Sequence, residues 1–405
     1  MRTKSISAKD PSGNLIVNYS YQRNKEGHVL KKESLNEITS YTYDAAYQLV
    51  NVENSKSDNE IFAYDPSGNR TSDKNEDYYI YNEDNELLEN TSEQLEYDNN
   101  GNLVKKSDSN GTVNYDFNIK NRLVEVEKNS GDTIATYYYD PFGRRLWKEV
   151  NGTRTYFFYS EQGLVAEFDE AGNQIKSYGY KSDSKWTTDP VFIKDNDYNF
   201  YINDHIGTPQ KIINEDGNVV WSGKYKGFGK VEIEVEEVIN NLRFAGQYYD
   251  EENGFYYNMH RYYNVEAGRY FSSDPIGLSG GINTYLYVLN NPIIFIDPLG
   301  LELVQLWRPL SGGLYPVGYH TAIKVNGIIY GFGPTKGVHI EDPSNYGWGR
   351  HEVIIHRGND LDKQMLDFLQ NAAAGNNPRF TVETYDVLKE NCMTFADTAI
   401  ETVVK

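Results

Sequence analysis

The sequence predicts a mainly β protein in which a sheet of short tyrosine-rich repeats, residues 1–301, precedes a small α+β domain, residues 302–405. The whole chain of 405 residues contains 35 Tyr and 34 Gly. The first part is rich in both, which is typical of short strands joined by turns. It also repeats a strand–turn–strand pattern. Behind the words "DPLGL" the composition changes abruptly, and helical patterns and the single cysteine follow.

The repeat is marked by a tyrosine followed by an aspartate. Five such pairs recur at intervals of roughly twenty residues, which indicates an array of one small unit. Alternating Tyr, Val and Leu between them are typical of strands that bury one face. The pairs are Tyr43–Asp44, Tyr64–Asp65, Tyr97–Asp98, Tyr115–Asp116 and Tyr139–Asp140.

Turn words such as "DPSGN", "DNNGN" and "DPFGR" close the repeats. In such a turn the aspartate side chain accepts a hydrogen bond from the backbone two residues on, and the glycine tolerates a positive φ. We therefore expect stacked hairpins that bury a tyrosine ladder between neighbours and form a long curved sheet.

The charge of the chain is strongly negative and unevenly distributed. From Glu302 onward 9 Lys and Arg face 12 Asp and Glu, giving −3, so the preceding part carries −17 of the total −20. Because phosphate contacts need clustered Lys and Arg, this balance argues against a nucleic-acid partner and disfavours a nuclease tail.

One cysteine excludes an intramolecular disulfide framework and a zinc site built on several thiolates. The histidines do not pair at ligand spacing, so neither a metal nor another cofactor is expected. The N-terminal "MRTKSISAKDPSGNLIV" lacks the apolar core of a signal peptide, and no run of about 20 apolar residues predicts a membrane span. We expect export through a specialised secretion system, with the tail acting in the target cell.

Two longer stretches resemble a known family. "YINDHIGTPQKIINEDGNVVW" and the segment from Asn241 to Pro292, which contains "MHRYYNVEAGRYFSSDPIGLSGG", resemble the end of Rhs/YD-repeat proteins. The resemblance implies a repeat shell over residues 1–240, an Rhs-associated core over 241–301 and a C-terminal toxin over 302–405. It also implies a hollow β cocoon around the toxin. The front part is shorter than a typical shell, so either the chain is a fragment or a partner completes the enclosure.

The words "DPIGL" and "DPLGL" begin at Asp274 and Asp297. Each sequence is suited to a type I turn, and the pair is readily explained as two turns. The alternative is a carboxylate pair: two carboxyls held close do not both ionise, so one activates water while the other polarises a carbonyl. The resemblance to Rhs cores implies this chemistry, with Arg261 as the supporting arginine and the cut between Leu301 and Glu302.

The segment behind the cut is expected to be α+β. "LVQLW", "YHTAIKV", "IIYGFG" and "HEVIIH" predict strands, and apolar residues on one face predict a helix from Leu361 to about Ala374. A second helix is expected after Asn391, its candidate N-cap. Cys392 would then lie at a helix N-terminus, which favours a thiolate.

His320, on the predicted "YHTAIKV" strand, is the candidate base for this thiolate. Taken alone, a lone cysteine and a strand histidine are more often structural. However, "HTAIKV" followed by "NCMTF" resembles the PPPDE-type isopeptidases of the permuted papain-like fold. That resemblance implies Cys392 as nucleophile and His320 as base, with His339 as a weaker candidate for a third member.

The function expected from the sequence is therefore an Rhs toxin that cuts itself after Leu301 and releases a cysteine hydrolase. Its expected partners are an immunity protein, a secretion apparatus or shell-completing partner, and a ubiquitin-like or other amide substrate. A tail acting on lipid esters or cell-wall peptides remains open. The alternative is a structural or adhesive YD-repeat surface protein that catalyses nothing.

Overall fold

The computed structural model describes residues 3–182 and 184–301 and four strands beyond them, 306–309, 319–325, 328–333 and 337–341. Within each described sheet the strands follow chain order, and hydrogen-bonded neighbours are antiparallel. A mainly β YD-repeat fold is therefore confirmed.

Seven strands form the first sheet, in chain order: β1 Ser5–Lys9, β2 Leu15–Arg23, β3 Val29–Glu33, β4 Ile38–Tyr43, β5 Leu49–Asn54, β6 Glu60–Tyr64 and β7 Arg70–Asp73.

Sixteen strands form the second sheet, also in chain order: β8 Tyr79–Tyr81, β9 Leu87–Asn90, β10 Glu93–Tyr97, β11 Leu103–Asp108, β12 Gly111–Phe117, β13 Leu123–Lys128, β14 Thr133–Tyr139, β15 Arg145–Val150, β16 Thr153–Ser160, β17 Gly163–Phe168, β18 Gln174–Tyr180, β19 Pro190–Lys194, β20 Tyr198–Asn203, β21 Pro209–Ile213, β22 Val219–Tyr225 and β23 Val231–Glu236.

A third sheet has four short strands: β24 Tyr248–Asp250, β25 Phe255–Asn258, β26 Arg261–Asn264 and β27 Arg269–Tyr270. Two short 3-10 turns follow at Gly277–Gly280 and Val288–Asn290.

The aspartate of four of the five Tyr-Asp pairs shapes the turn behind it, as predicted. The exception is Asp116, which lies within β12, and Asn118 shapes the turn that follows. In "DPSGN" one Asp65 carboxylate oxygen accepts hydrogen bonds from the amides of Ser67 (2.8 Å) and Asn69 (2.9 Å). Gly68 adopts φ +81° and its amide donates to the Asp65 carbonyl oxygen. Because two backbone amides of the turn donate to the same side chain, the hairpin can close without contacts from other strands.

Half-buried tyrosines at strand ends, including Tyr43 and Tyr64 of the Tyr-Asp pairs, tie a hairpin to the one before it. The tyrosine hydroxyl donates to a backbone carbonyl oxygen of an earlier strand, which fixes the register between neighbouring hairpins. This bond recurs for Tyr43 to Val29 (2.8 Å), Tyr64 to Leu49 (2.7 Å), Tyr81 to Arg70 (2.8 Å) and Tyr180 to Leu164 (2.6 Å). The register shifts at or beside the same tyrosines, for example between Thr42 and Tyr43, and such bulges bend the strand and increase its twist.

A buried charge cluster joins the second sheet to the third. Arg145 of β15 is 1% exposed and pairs with Asp250 of β24, which also contacts the Lys148 ammonium at 2.9 Å. The Arg145 guanidinium lies over the rings of Tyr257 (4.4 Å) and Phe157 (4.8 Å). A carboxylate and two aromatic faces thus offset part of the cost of burying this cation.

The chain divides into two compact units. The first comprises Met1–Asn24, His28–Pro275 and Asn283–Leu301, and the second comprises Lys25–Gly27, Ile276–Ile282 and Glu302–Lys405. In the described part of the chain no helix has the length and apolarity to cross a membrane.

Beyond Leu301 the described residues form a four-stranded antiparallel sheet, β28 Leu306–Pro309, β29 Tyr319–Val325, β30 Ile328–Gly333 and β31 Gly337–Glu341. The strand predictions for "YHTAIKV" and "IIYGFG" are confirmed. The "HEVIIH" strand and both predicted helices lie outside the described residues.

Candidate active site

The candidate site is built on the hairpin between β25 and β26. Asn258 pairs with Arg261 across a loop of only two residues, in which Met259 adopts φ +55°. Two-residue loops of this kind require positive φ and hold the flanking residues directly opposite each other. The hairpin therefore places the Asn258 amide and the Arg261 guanidinium side by side at its tip.

Arg261 brings the two predicted aspartates together. Its Nη2 lies 3.0 Å from Asp274 Oδ2 and 3.3 Å from Asp297 Oδ2. Arg261, Asp274 and Asp297 are 2%, 5% and 2% exposed. A shared guanidinium nitrogen keeps two carboxylates close in a region that water does not reach freely.

The same groups hold the chain immediately before the predicted cut. The Leu301 amide donates to Asp297 Oδ1 at 2.9 Å, and Arg261 Nε donates to the Gly300 carbonyl oxygen at 2.6 Å. Gly300 adopts φ +67°, and a Cβ there would lie 2.3 Å from the Asn258 carbonyl oxygen. Only glycine fits this close approach of the two backbones.

Two residues of the site escaped the sequence reasoning. The Tyr270 hydroxyl donates to Asp297 Oδ2 at 2.7 Å. Asn258 Nδ2 donates to the Tyr270 hydroxyl and to the Asp297 carbonyl oxygen, both at 2.8 Å. The Arg261 guanidinium carbon lies 3.6 Å from the centroid of the Tyr270 ring. Both residues lie in the segment that resembles Rhs cores. In a chain with 35 tyrosines, however, the sequence alone does not single out Tyr270.

Burial raises the pKa of Asp297 to about 6. Arg261, the Tyr270 hydroxyl and the Leu301 amide oppose that rise because each favours the ionised carboxylate, whereas the charge of Asp274 adds to it. A carboxyl with this pKa changes its protonation near neutral pH, which suits a group that exchanges protons with a substrate.

A strained turn lies between the two aspartates in the sequence. Val288, Leu289 and Asn290 have φ of 44°, 54° and 57°, a left-handed conformation that is costly for non-glycine residues and above all for β-branched ones. Asn290 Nδ2 donates to the Gly68 carbonyl oxygen at 2.7 Å, and Asn291 Nδ2 donates to that of Tyr47 at 2.8 Å. Contacts with the first sheet thus impose the turn that leads the chain toward Asp297.

The predicted tail site is not assembled in the described residues. His320 lies on β29 opposite Arg308, and His339 lies on β31 opposite Gly331. Cys392 and Asn391 lie outside the described residues. Among the residues that the structure describes, no group of His, Cys, Asp or Glu has the arrangement of a metal site.

The fold and the aspartate pair define a YD-shell protein with an Rhs-type core. The family model for the Teneurin YD-shell matches residues 13–293, which is well over half of the chain. The protein belongs to this family.

Among curated relatives, the chain is 32% identical over 329 residues to double-stranded DNA deaminase toxin A of Burkholderia cenocepacia (strain H111), covering 72% of this chain and 22% of the relative. It is 33% identical over 277 residues to tRNA nuclease WapA of Bacillus subtilis (strain 168), covering 66% and 11%. Toxin protein Tse5 of Pseudomonas aeruginosa is 48% identical over 102 residues, covering 25% and 8%. The chain spans less than a quarter of each of these relatives.

Among solved structures, the Photorhabdus luminescens Tc holotoxin pore is similar over 77% of this chain and 20% of its own, with 18% identity and a TM-score of 0.39.

These relatives correct the predicted activity. They are named as a DNA deaminase and as tRNA nucleases, not as cysteine hydrolases. The prediction of a cysteine peptidase or isopeptidase in the tail is therefore wrong. The exclusion of nucleic acid as a partner, which rested on net charge, conflicts with the same names.

Proposed function

We propose that this chain is a YD-shell toxin whose core cuts its own backbone between Leu301 and Glu302, with Asp274 and Asp297 as the catalytic carboxyls and Arg261 between them. One observation carries the proposal: Asp297 holds the Leu301 amide, and Arg261 holds the Gly300 carbonyl oxygen. Asp297 and Arg261 thus also bind the peptide segment that leads into the bond to be cut.

The reaction needs one ionised and one protonated carboxyl. The carboxylate takes a proton from water as the water oxygen bonds to the Leu301 carbonyl carbon, and the carboxylic acid gives its proton to the carbonyl oxygen. The tetrahedral intermediate then breaks its C–N bond as a proton passes to the Glu302 nitrogen. The products are a Leu301 carboxyl group and a free Glu302 amine.

The test is the state of the wild-type chain made by cell-free translation, where no host maturation intervenes. Intact mass should show two fragments, one ending at Leu301 and one beginning at Glu302. The rate should not change on tenfold dilution, because a chain that cuts itself reacts in first order. A chain that stays intact, or a rate that falls with dilution, contradicts the proposal.

Gly300→Ala should slow the cleavage by about a hundredfold, because a displacement of about 1 Å at a reacting centre costs that much. The new Cβ would meet the Asn258 carbonyl oxygen and push the Leu301 amide off Asp297. The matched control is Gly277→Ala in the other "DPxGL" word: its φ is +60° but nothing lies within 4 Å of a Cβ there. Timed mass spectra of both variants decide. Equal rates would mean that the fit at Gly300 is irrelevant to cleavage.

In this proposal residues 1–240 are the repeat shell, 241–301 the cutting core and 302–405 the released toxin. The relatives named as acting on DNA and tRNA make nucleic acid the first substrate to test on the freed fragment. An immunity protein in the producing cell, and a secretion system or shell-completing partner, accompany a toxin that acts in another cell. Incubating the fragment with double-stranded DNA and tRNA, with and without divalent metal, tests the substrate class. Unchanged nucleic acids would exclude it.

A further inference from the structure

We propose that Asn290 is a positioning residue for the cleavage: its bond to the Gly68 carbonyl oxygen, in a repeat turn of the first sheet, directs the chain that brings Asp297 beside Asp274. This inference rests on the proposed cut after Leu301. It makes the reaction depend on contact with β1–β7, a sheet that supplies neither of the two carboxyls nor the arginine between them.

Four repeat turns, those after β4, β6, β8 and β10, share one geometry. In each, the amides of the third and fifth residues donate to the side chain of the first residue, as Ser67 and Asn69 do to Asp65. The fourth residue has a positive φ in every case: 63° at Tyr47, 81° at Gly68, 63° at Asn85 and 77° at Gly101.

Residues 269–291 carry a donor for the carbonyl oxygen of each of these fourth residues. In turn order, the donors are Asn291 Nδ2 to Tyr47 (2.8 Å), Asn290 Nδ2 to Gly68 (2.7 Å), Arg269 Nη2 to Asn85, and the Tyr285 hydroxyl to Gly101 (2.9 Å). Because the equivalent atom of four turns is bound, these contacts follow the repeat of the sheets. The segment around the aspartates therefore recognises the repeats as a series.

The two aspartates are attached to different sheets by these contacts. Ser273, the residue before Asp274, donates its amide to the Gly101 carbonyl oxygen at 2.9 Å, in a turn of the second sheet. The turns that bind Asn290 and Asn291 belong to the first sheet. Arg261 can contact both carboxylates only when both sheets hold their part of this chain.

The strained turn makes the bond of Asn290 necessary. A left-handed backbone is unfavourable for Val288 and Leu289, so contacts from outside the turn must hold it. A carbonyl oxygen can only accept, so the side-chain nitrogen of Asn290 faces Gly68. Asn290 is 3% exposed, and water cannot readily replace a bond that is lost there. Without it, the chain leaves the turn in another direction and Asp297 is displaced.

Asn290→Asp tests the bond because aspartate has nearly the same shape and also tolerates a positive φ. As a carboxylate it cannot donate to the Gly68 carbonyl oxygen, whereas as a carboxylic acid it can. The full chain is pulse-labelled in cell-free translation and chased into buffers from roughly pH 5 to 8, and the uncut fraction is followed with time.

The rate is expressed as the ratio of variant to wild type at each pH. At the alkaline end we expect a ratio of about one-hundredth, since a displacement of about 1 Å at a reacting centre costs that much. The ratio should rise as the pH falls, because the new carboxyl is then protonated and regains a donor.

Other charged and titratable groups lie near this position. They are Asp65 in the turn that Asn290 contacts, Arg269 beside the same turn, His28 beside Asn291, and Asp297 itself. Both chains carry all of them, so the ratio removes their titration. A change of the ratio with pH then belongs to the carboxyl introduced at position 290.

Two further variants separate the bond from its surroundings. Asn290→Gly permits the positive φ and deletes the donor, so its ratio should be low and equal at every pH. The matched control is Asn240→Asp. Asn240 is fully buried and donates to the Leu242 carbonyl oxygen at 2.8 Å, but this bond lies between β23 and β24 and holds no part of residues 283–297. Its ratio should stay near one.

The outcomes separate the two proposals. A wild-type chain that stays intact overturns the cleavage and the role of Asn290 with it. If the wild type cuts, an Asn290→Asp ratio that stays near one, or that is lowered equally at every pH, overturns only the role of Asn290. An Asn290→Gly chain that cuts like the wild type does the same. So does an Asn240→Asp chain with the same loss at alkaline pH, because the effect would then belong to any buried charge.

Discussion

Asp297→Asn should leave the chain uncut, with cleavage slower by about 10⁴-fold or more, because the change removes a proton-transferring group from the reaction. Asparagine has nearly the same shape and still offers an oxygen to the Leu301 amide, so the loop before the cut can keep its place. It can neither take nor give a proton, and an amide nitrogen in place of Oδ2 would face the donors Arg261 and Tyr270. Intact mass after prolonged incubation measures the loss.

Asp274→Asn should fail to the same degree, since neither carboxyl can replace the other. The matched control is Asp65→Asn, where asparagine can supply the same turn-forming oxygen to the amides of Ser67 and Asn69. That variant should cut like wild type. A chain with Asp297→Asn that still separates at Leu301 would show that these aspartates only form turns.

The second large effect concerns stability rather than cleavage. Arg145→Ala should lower the free energy of unfolding by about 3 kcal/mol or more, because it leaves the fully buried Asp250 without its guanidinium partner. Lys148 remains beside Asp250 and moderates the loss. Urea unfolding of both chains, each carrying Asp297→Asn so that no fragment separates, gives the difference.

Arg154→Ala is the control for that measurement. Arg154 also pairs with a carboxylate, Glu149, and lies over an aromatic ring, Trp147, but both partners of the ion pair are about one-third exposed. Solvated pairs of this kind contribute about 1 kcal/mol or less. If the two variants unfold at the same urea concentration, the burial of Arg145 does not matter for the attachment of the third sheet.

The repeats could be predicted because their information is local. The Asp65 turn is encoded within five residues, "DPSGN", and its hydrogen bonds follow from aspartate and glycine chemistry alone. The role of the preceding tyrosine was predicted only as buried area. Its hydroxyl bond to an earlier strand depends on the spacing of hairpins in space, which no single repeat contains.

The site was predicted in part. Arg261, Asp274 and Asp297 were named from the sequence and lie together in the structure. Tyr270 and Asn258 were not predicted. Their contacts with Asp297 form only when residues that are distant in the sequence pack together. The left-handed turn at Val288 was equally hidden: a β-branched residue argues against positive φ, and distant contacts override it. In residues 302–405, the resemblance of "HTAIKV" and "NCMTF" to cysteine isopeptidases led to the wrong prediction of activity.

The contacts that hold the peptide have a consequence for turnover. Both the Gly300 carbonyl oxygen and the Leu301 amide lie on the shell side of the bond, so neither of their hydrogen bonds to Arg261 and Asp297 is lost when the bond breaks. The new C-terminal residue, Leu301, would stay hydrogen-bonded to Asp297 in the site that made the cut. Each molecule would therefore react once and then inhibit itself with its own product, and a cut shell should not process a second chain supplied in trans.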